Sequence, residues 1–155
     1  MYLKVEQEIT EALKLVVGKD NASLHEPSFD EKEYLYLKDC IQSGYVSSIG
    51  NYVNTFSERL KDITKAKYVI PVINGTSGLH ISLIVSGVKA DDEVLIPTLS
   101  FVATSNAVTY VNATPHFIDV EECTLGMDPY KLKKYLEKIV KKNKGYSINK
   151  KTGKR

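Results

Sequence analysis

The stretch Asn74-Gly75-Thr76-Ser77-Gly78-Leu79-His80 decides the fold, together with Pro97-Thr98-Leu99-Ser100-Phe101 further along the chain. A β-branched run at 68–73 leads into the first stretch, and an apolar helix follows its glycine. The backbone N–H groups of Thr76 and Ser77 are therefore predicted to point outward unpaired, and such a helix end binds anions. A capped helix without a ligand is the alternative interpretation of this turn taken alone.

The second stretch places an aromatic side chain, Phe101, just past the end of the next predicted strand. In a parallel sheet this position lies at the same edge as the first turn. A phosphate-binding turn beside an aromatic platform suggests a flat, phosphorylated cofactor. Core packing is the alternative role for Phe101.

Around these stretches the sequence alternates between strand and helix patterns. Strands are predicted at 68–73, 93–97 and 115–120, and helices at 77–86, 102–111 and 129–143. The first two of these helices are almost wholly apolar, as expected when a parallel sheet is covered on both faces. The prediction is an α/β fold, βαβαβα with a mainly parallel sheet. Pro71 cannot donate to a ladder, so the first strand is expected at an edge or with an irregularity.

Three helices are predicted ahead of this α/β part. The first carries an apolar stripe and stops at Gly18. The second begins after a cap at Asp30 and ends near Gly44, and the third passes through Val53, Phe56, Leu60 and Ile63. A small polar loop, Tyr45-Val46-Ser47-Ser48-Ile49-Gly50, separates the second helix from the third.

The net charge of +2 hides an asymmetry along the 155 residues. Residues 1–130 carry 10 Lys and Arg against 18 Asp and Glu, whereas residues 131–155 carry 11 against one. Clusters of lysines can bind nucleic acid by contacting its phosphates. However, apolar residues recur at helical spacing in this region, so the lysines are expected on a solvated helix face, and no nucleic-acid partner is predicted.

Several other classes of protein are disfavoured by composition. Cys40 and Cys123 lie far apart without CxxC spacing, and the three histidines are scattered, so free thiols and no metal site are expected. No apolar run approaches the length of a membrane span and no signal peptide is visible. A cytoplasmic location without a membrane partner is expected. The sequence stops where the alternating pattern calls for another strand, which suggests a cut inside a fold.

Six stretches, in this order and spacing, resemble the N-terminal part of the DegT/DnrJ/EryC1/StrS sugar aminotransferases, which depend on pyridoxal 5′-phosphate (PLP). They are Leu24-His25-Glu26-Pro27, Gly44-Tyr45-Val46-Ser47-Ser48-Ile49-Gly50, Asn74-Gly75-Thr76-Ser77-Gly78-Leu79, Asp92-Glu93-Val94-Leu95-Ile96-Pro97, Phe101-Val102-Ala103-Thr104-Ser105-Asn106-Ala107-Val108 and Phe117-Ile118-Asp119-Val120. The loop at 45–50 and the first helix look most like the branch acting on UDP-linked 4-keto-6-deoxy-N-acetylhexosamines, towards legionaminic-type acids.

The resemblance implies the large domain of a fold-type I PLP transferase. Residues 1–67 would form an N-terminal helical segment with a substrate-side loop, and residues 68–155 a partial cofactor-binding domain, truncated before its C-terminal strands. The complete enzyme would transfer an amino group from glutamate to a nucleotide-linked 4-keto-6-deoxy sugar, for polysaccharide biosynthesis, and would be a homodimer.

The resemblance also assigns site residues. Gly75, Thr76 and Ser77 would hold the cofactor phosphate, and Phe101 would stack on the pyridine ring. Ser47 and Ser48 would lie near the sugar, in the family commonly at an interface between subunits; an ordinary turn is the alternative. Asp119 matches a strand-end aspartate of the family that is different from the partner of the pyridine nitrogen. We therefore expect Asp119 to have a structural role.

Two departures from the family pattern affect these expectations. Gly78 stands where the family commonly has Ala. In the family, the lysine that forms the Schiff base and the aspartate that pairs with the pyridine nitrogen lie beyond the position of Arg155, so this chain holds no catalytic residue and is expected to be inactive alone.

Other functions stay open at this point. The chain could be a truncated non-catalytic module that binds phosphate or nucleotide, or pairs with a full-length subunit. Some family members use a histidine instead of the lysine and act as sugar dehydratases. Rossmann-type nucleotide binding is weaker, because the GxGxxG pattern is missing.

Overall fold

A computed structural model describes residues 2–18, 23 and 25–155. Leu24, the first residue of one resembling stretch, lies outside the described residues. The chain divides into two compact units, Met1–Ala66 (unit 1) and Lys67–Arg155 (unit 2). Among the described residues, none of the helices is both long and apolar enough to cross a lipid bilayer.

Unit 1 contains the three predicted helices, α1 (Tyr2–Val17), α2 (Glu31–Ser43) and α3 (Asn51–Thr64). The predicted cap of α2 is confirmed: the Asp30 carboxylate accepts the Lys32 N–H at 2.7 Å, and the Glu33 carboxylate accepts the Asp30 N–H at 2.7 Å. This capping box fixes where α2 begins. Gly44 ends α2 with a φ of 76°, a left-handed conformation that glycine adopts without strain.

Unit 2 has the predicted α/β organisation. Its elements are α4 (Gly75–Val85), β1 (Glu93–Pro97), α5 (Val102–Tyr110), β2 (Thr114–Ile118), α6 (Pro129–Ile139), β3 (Val140–Asn143) and β4 (Tyr146–Asn149). β1 and β2 pair in parallel, from Glu93 opposite Thr114 to Pro97 opposite Ile118. Helix α5 connects the two strands and packs its apolar face against them. Val108 of α5 forms the core cluster with Ile96 of β1 and with Ala113.

The prediction of a strand at 68–73 is wrong. All six residues are described, yet they form no strand, and most of their large side chains are exposed, Ile73 at 91%. Strand formation needs a ladder partner as well as β-branched residues. β1 pairs with β2, and no strand of the described chain pairs with residues 68–73.

The predicted helix at 129–143 begins as expected and ends early. The Asp128 carboxylate accepts the N–H groups of Tyr130 and Lys131, both at 2.9 Å, with Pro129 in the first turn. The helix stops at Ile139, and residues 140–143 form β3, which pairs with β4 as an antiparallel hairpin. The two turn residues, Lys144 and Gly145, have φ values of 47° and 84°, and such a turn suits the twist of a two-residue hairpin.

The segment after this hairpin binds the start of β1 through three consecutive acidic residues. Lys154 Nζ lies 3.3 Å from Asp91. The Arg155 guanidinium pairs with both carboxylate oxygens of Asp92, through Nε at 2.7 Å and through Nη2. Asn149 donates to Glu93 at 2.8 Å, and Thr152 donates to the same carboxylate. We call residues 149–155 the C-terminal clasp.

The clasp also reaches the backbone and a neighbouring ring. The Glu93 N–H donates to the Arg155 carbonyl at 2.6 Å, and Arg155 donates to the Gly87 carbonyl at 3.1 Å. The guanidinium lies 5.1 Å from the centre of the Tyr146 ring. A hydrogen bond from Arg155 holds the pKa of the buried Asp92 carboxyl below its usual value, against the opposing effect of burial.

Replacing Asp92 with Asn tests the clasp. A carboxyl whose pKa is lowered in the folded state contributes stability that is complete above the ordinary Asp pKa of about 3.9 and is lost as the pH falls through the folded pKa. We expect Asp92→Asn to cost about 1–2 kcal/mol of unfolding free energy at pH 7. Between pH 5 and pH 3 the variant should lose less stability than the wild type. Urea unfolding, followed through the amide signals of β1 and β2, measures both.

The matched control is Glu122→Gln, which removes an exposed carboxylate of the same unit. It should leave the acid response close to that of the wild type. An Asp92→Asn variant with an undiminished acid response would contradict the role of the ion pair.

Candidate functional site

The N-terminus of α4 is formed as the sequence predicts, with Asn74 as its cap. The Asn74 backbone is extended, and its side-chain oxygen accepts the Ser77 N–H at 2.8 Å. The Asn74 carbonyl accepts the Gly78 N–H at 3.1 Å. Asparagine favours this position because its short side chain reaches the unpaired N–H groups of the first turn.

This cap corrects the prediction that the N–H groups of both Thr76 and Ser77 are free. The Ser77 N–H is occupied by Asn74, whereas those of Gly75 and Thr76 have no partner among the described residues. The hydroxyls of Thr76 and Ser77 likewise make no hydrogen bond within the described chain, and both residues are half-buried. Two N–H groups and two hydroxyls are thus left to bind an anion at this helix end.

Gly78, the departure from the family pattern, has a packing explanation. A Cβ atom added at Gly78 would lie 3.3 Å from the Cγ2 atom of Val72, a tight contact. Glycine therefore lets the segment before α4 lie close against the first turn of the helix. Gly75 differs, since a Cβ there would meet nothing within 4 Å.

Phe101 occupies the N-cap position of α5, makes no side-chain cap hydrogen bond there and is 75% exposed. The Phe101 carbonyl accepts the Thr104 N–H at 3.0 Å, and the Ser100 and Thr104 hydroxyls are 2.7 Å apart, which fixes the backbone around the ring. Within the described chain Phe101 does not pack into the core, and its role as a platform for a ring stays a prediction.

Helices α4 and α5 pack against each other. The ring of His80 on α4 meets the ring of Tyr110 at the end of α5 edge-on, with centroids 5.7 Å apart. The predicted cofactor residues therefore lie at the N-termini of two helices that contact each other within unit 2. Gly75, Thr76 and Ser77 are in α4, and Phe101 precedes α5.

Ser47 and Ser48 lie in unit 1, in the loop between α2 and α3. Both are exposed. Ser47 lines a cavity of about 240 Å³ formed by the end of α2, the loop and the start of α3. Ser48 is next to this cavity in sequence and does not line it.

Sequence reasoning missed a polar pair in the same cavity. The Tyr52 hydroxyl donates to the Asp39 carboxylate at 2.9 Å, and this hydrogen bond raises the pKa of the Tyr52 phenol. The Tyr52 ring also meets Tyr36 edge-on at 5.2 Å. Asp39 and Tyr52 are thirteen residues apart and on different helices. The only signal that could have suggested the pair is that each lies on an exposed face of its helix.

Asp119 makes contacts that suit its assigned structural role. Its carboxylate accepts the Val120 N–H at 3.0 Å and pairs with Lys131 at 3.2 Å, which ties the end of β2 to the first turn of α6. The hydrogen bond lowers the pKa of the Asp119 carboxyl and raises that of Lys131. Asp119 and Lys131 also border a second cavity, of about 300 Å³.

The two cysteines of the described chain lie apart from each other in sequence. Cys40 is half-buried and Cys123 exposed, and both are free thiols. In the part of the chain that the structure describes, no group of three or more His, Cys, Asp or Glu side chains is placed to hold a metal ion.

Comparison with known proteins agrees with the resemblance drawn from the sequence. The model of the DegT/DnrJ/EryC1/StrS aminotransferase family matches residues 27–143. GDP-perosamine synthase of Escherichia coli is 38% identical over 104 residues, which are 67% of this chain and 29% of that enzyme. GDP-perosamine synthase of Vibrio cholerae is 38% identical over 118 residues, 76% of this chain and 32% of that enzyme. The chain thus spans about a third of the length of these relatives.

A solved structure gives the same result for the fold. The protein Spr1654 from Streptococcus pneumoniae, in its PLP form, superposes with a TM-score of 0.64 and 27% identity, covering 74% of this chain and 29% of that protein. The predicted class, the α/β fold of the fold-type I PLP enzymes, is confirmed. The chain belongs to the DegT/DnrJ/EryC1/StrS aminotransferase family.

Proposed function

We propose that this chain is the N-terminal part of a PLP-dependent aminotransferase that moves an amino group from glutamate to a nucleotide-linked 4-keto-6-deoxy sugar. The observation that carries the proposal is the open N-terminus of α4. Two unpaired N–H groups, of Gly75 and Thr76, lie there beside two half-buried hydroxyls without partners in the described chain. This donor set suits a phosphate dianion.

The arrangement fits the cofactor phosphate without a lysine. The helix end carries a partial positive charge, and the Thr76 and Ser77 hydroxyls would donate to phosphate oxygens. Asn74 occupies the third N–H group, that of Ser77, at 2.8 Å. With this cap in place, the Gly75 and Thr76 N–H groups and the two hydroxyls would be the donors to the phosphate.

Phe101 would hold the cofactor ring. Its exposed ring at the start of α5 offers a flat apolar face, and stacking on it would fix the plane of the pyridine. The cofactor, when bound, supplies an electron sink for the bond broken at the amino-bearing carbon. The residues of this chain would bind and orient it.

The substrate and the assembly belong to the same proposal. Ser47 and Ser48 would contact the sugar, and the complete protein would act as a homodimer with these serines near the subunit interface. The relatives named above are GDP-perosamine synthases, and we propose a sugar of the same general kind. The UDP-linked N-acetylhexosamine branch, towards legionaminic-type acids, is our more specific proposal, and it rests on the loop at 45–50.

The roles of the two units follow from this assignment. Residues 1–67 would supply the substrate side, and residues 68–155 would supply part of the cofactor-binding domain. The lysine that binds the cofactor covalently and the aspartate that pairs with its ring nitrogen would come from outside these residues. A second candidate is a non-catalytic module that keeps phosphate binding or pairs with a full-length subunit, and the open helix end of α4 supports its binding form.

Titration with pyridoxamine 5′-phosphate tests cofactor binding. This compound lacks the aldehyde that would react with surface lysines. In the ¹⁵N-labelled chain we expect saturable shifts of the Gly75, Thr76 and Ser77 amides, with much smaller shifts from pyridoxamine, which has no phosphate. Thr76→Ala should weaken binding at least about tenfold, because one hydrogen bond to a charged group is lost.

Two further variants sharpen this test. Thr10→Ala, in α1, is the matched control and should bind as the wild type does. Asn74→Asp keeps the helix cap but places a negative charge beside the phosphate, so binding should fall while stability is retained. Equal shifts from pyridoxamine, or silence of the three amides, would contradict the phosphate site.

We also expect the isolated chain to transfer no amino group. Purified chain, PLP, glutamate and a GDP- or UDP-linked 4-keto-6-deoxy sugar should yield no 2-oxoglutarate above the level without protein. The residues present would position the cofactor, whereas the lysine that would move protons at it is expected from outside these residues. A complete GDP-perosamine synthase with its own sugar substrate is the positive control. Formation of 2-oxoglutarate that requires both the chain and the sugar would refute this expectation.

A further inference from the structure

The cavity of about 240 Å³ in unit 1 has a distinctive charge pattern. Asp39 is its one ionisable carboxylate, and no Lys, Arg or His side chain lies among its lining residues, all of which the structure describes. The other polar groups are hydroxyls and an amide, including Ser47 and Asn51. A cavity that carries a single negative charge repels phosphate and accepts hydrogen bonds from neutral donors.

The Asp39 carboxylate is held in place with one oxygen available. Its Oδ2 atom accepts the Tyr52 hydroxyl at 2.9 Å, while its Oδ1 atom has no hydrogen-bond partner among the described residues. Tyr52 is in turn positioned by its edge-on contact with Tyr36. A fixed carboxylate with a free oxygen is ready to accept a hydrogen bond from a ligand hydroxyl.

Tyr45 contributes an aromatic wall to the same cavity. The backbone of Gly50 passes so close to it that a Cβ atom at Gly50 would lie 3.0 Å from the Cβ atom of Tyr45. Gly50 also has a φ of 154°, which other residues rarely adopt. The loop therefore folds back onto Tyr45, and the Tyr45 side chain remains more than half exposed.

We propose that this cavity binds the neutral hexose ring of the nucleotide sugar, with Asp39 as a specificity-determining residue that accepts a hydrogen bond from the ring. Tyr45 would cover an apolar face of the sugar, and Tyr52 would orient the carboxylate. The diphosphate would lie outside the cavity, since Asp39 repels it. This inference rests on the proposed function and adds Asp39, with Tyr45 and Tyr52, as the residues that would select the sugar.

Amide shifts of the ¹⁵N-labelled 155-residue chain test the proposal. The probes are N-acetylglucosamine, uridine and inorganic phosphate, each added alone. We expect N-acetylglucosamine to shift amides within residues 39–53 with millimolar affinity, and uridine and phosphate to leave them unchanged. Asp39→Asn should weaken the sugar about tenfold, because its amide still accepts from Tyr52 but turns a donor towards the ligand.

Asp62→Asn is the matched control, since Asp62 is an exposed carboxylate on α3 away from the cavity. It should bind the sugar within about twofold of the wild type, and the spectrum of each variant reports its folding. Tyr52→Phe should weaken the sugar by less than Asp39→Asn does, because it frees the carboxylate without removing it.

The proposal is overturned if N-acetylglucosamine shifts none of these amides at about 50 mM, well above a millimolar dissociation constant. Shifts from uridine or phosphate at the same amides, or an Asp39→Asn variant that binds the sugar as the wild type does, would also overturn it. Shifts at Gly75–Ser77 with pyridoxamine 5′-phosphate report the proposed function separately, so either result can fail without the other.

Discussion

The ion pair between Arg155 and Asp92 joins the C-terminal clasp to the start of β1. The organisation of unit 2 depends on this contact. Asp92 lies directly before the parallel ladder, and its carbonyl accepts the Thr114 N–H at 2.8 Å, which sets the register of β2. Glu93, the next residue, accepts hydrogen bonds from Asn149, Thr152 and His116. Two neighbouring acidic residues thus tie the parallel sheet to the C-terminal clasp.

The candidate cofactor site depends on the same sheet from its other end. β1 ends at Pro97, and the chain then turns at Phe101 into α5, which packs on α4. The sheet and the core cluster around Val108 fix α5, and α5 supports the helix whose open end offers donors for phosphate. The clasp and the site are therefore at different parts of one packed unit, and the chemistry of each uses different residues.

Local signals could be predicted from the sequence, and signals that need a distant partner could not. The caps at Asp30 and Asp128 are satisfied by residues within three positions, so they were predictable. The prediction of a strand at 68–73 was wrong because a strand needs a hydrogen-bonded partner, which β-branched residues alone do not supply. The hairpin was missed because its lysines resemble a helix surface and Lys144-Gly145 is a weaker turn signal than Asn-Gly. In the site, the glycine and hydroxyl pattern was predictable, whereas the Asp39 pair required α2 and α3 to be placed.

The junction between α6 and β3 has a practical consequence for protein engineering. Ile139 ends the helix and Val140 starts the strand without a connecting loop, and the Ile139 carbonyl accepts the Lys150 N–H at 2.7 Å. An inserted peptide at this junction would separate hydrogen-bonded groups. The exposed turn at Lys144-Gly145 holds no such bond across the hairpin, so it is the position in this region where a tag or a fluorescent label can be introduced with the least disturbance.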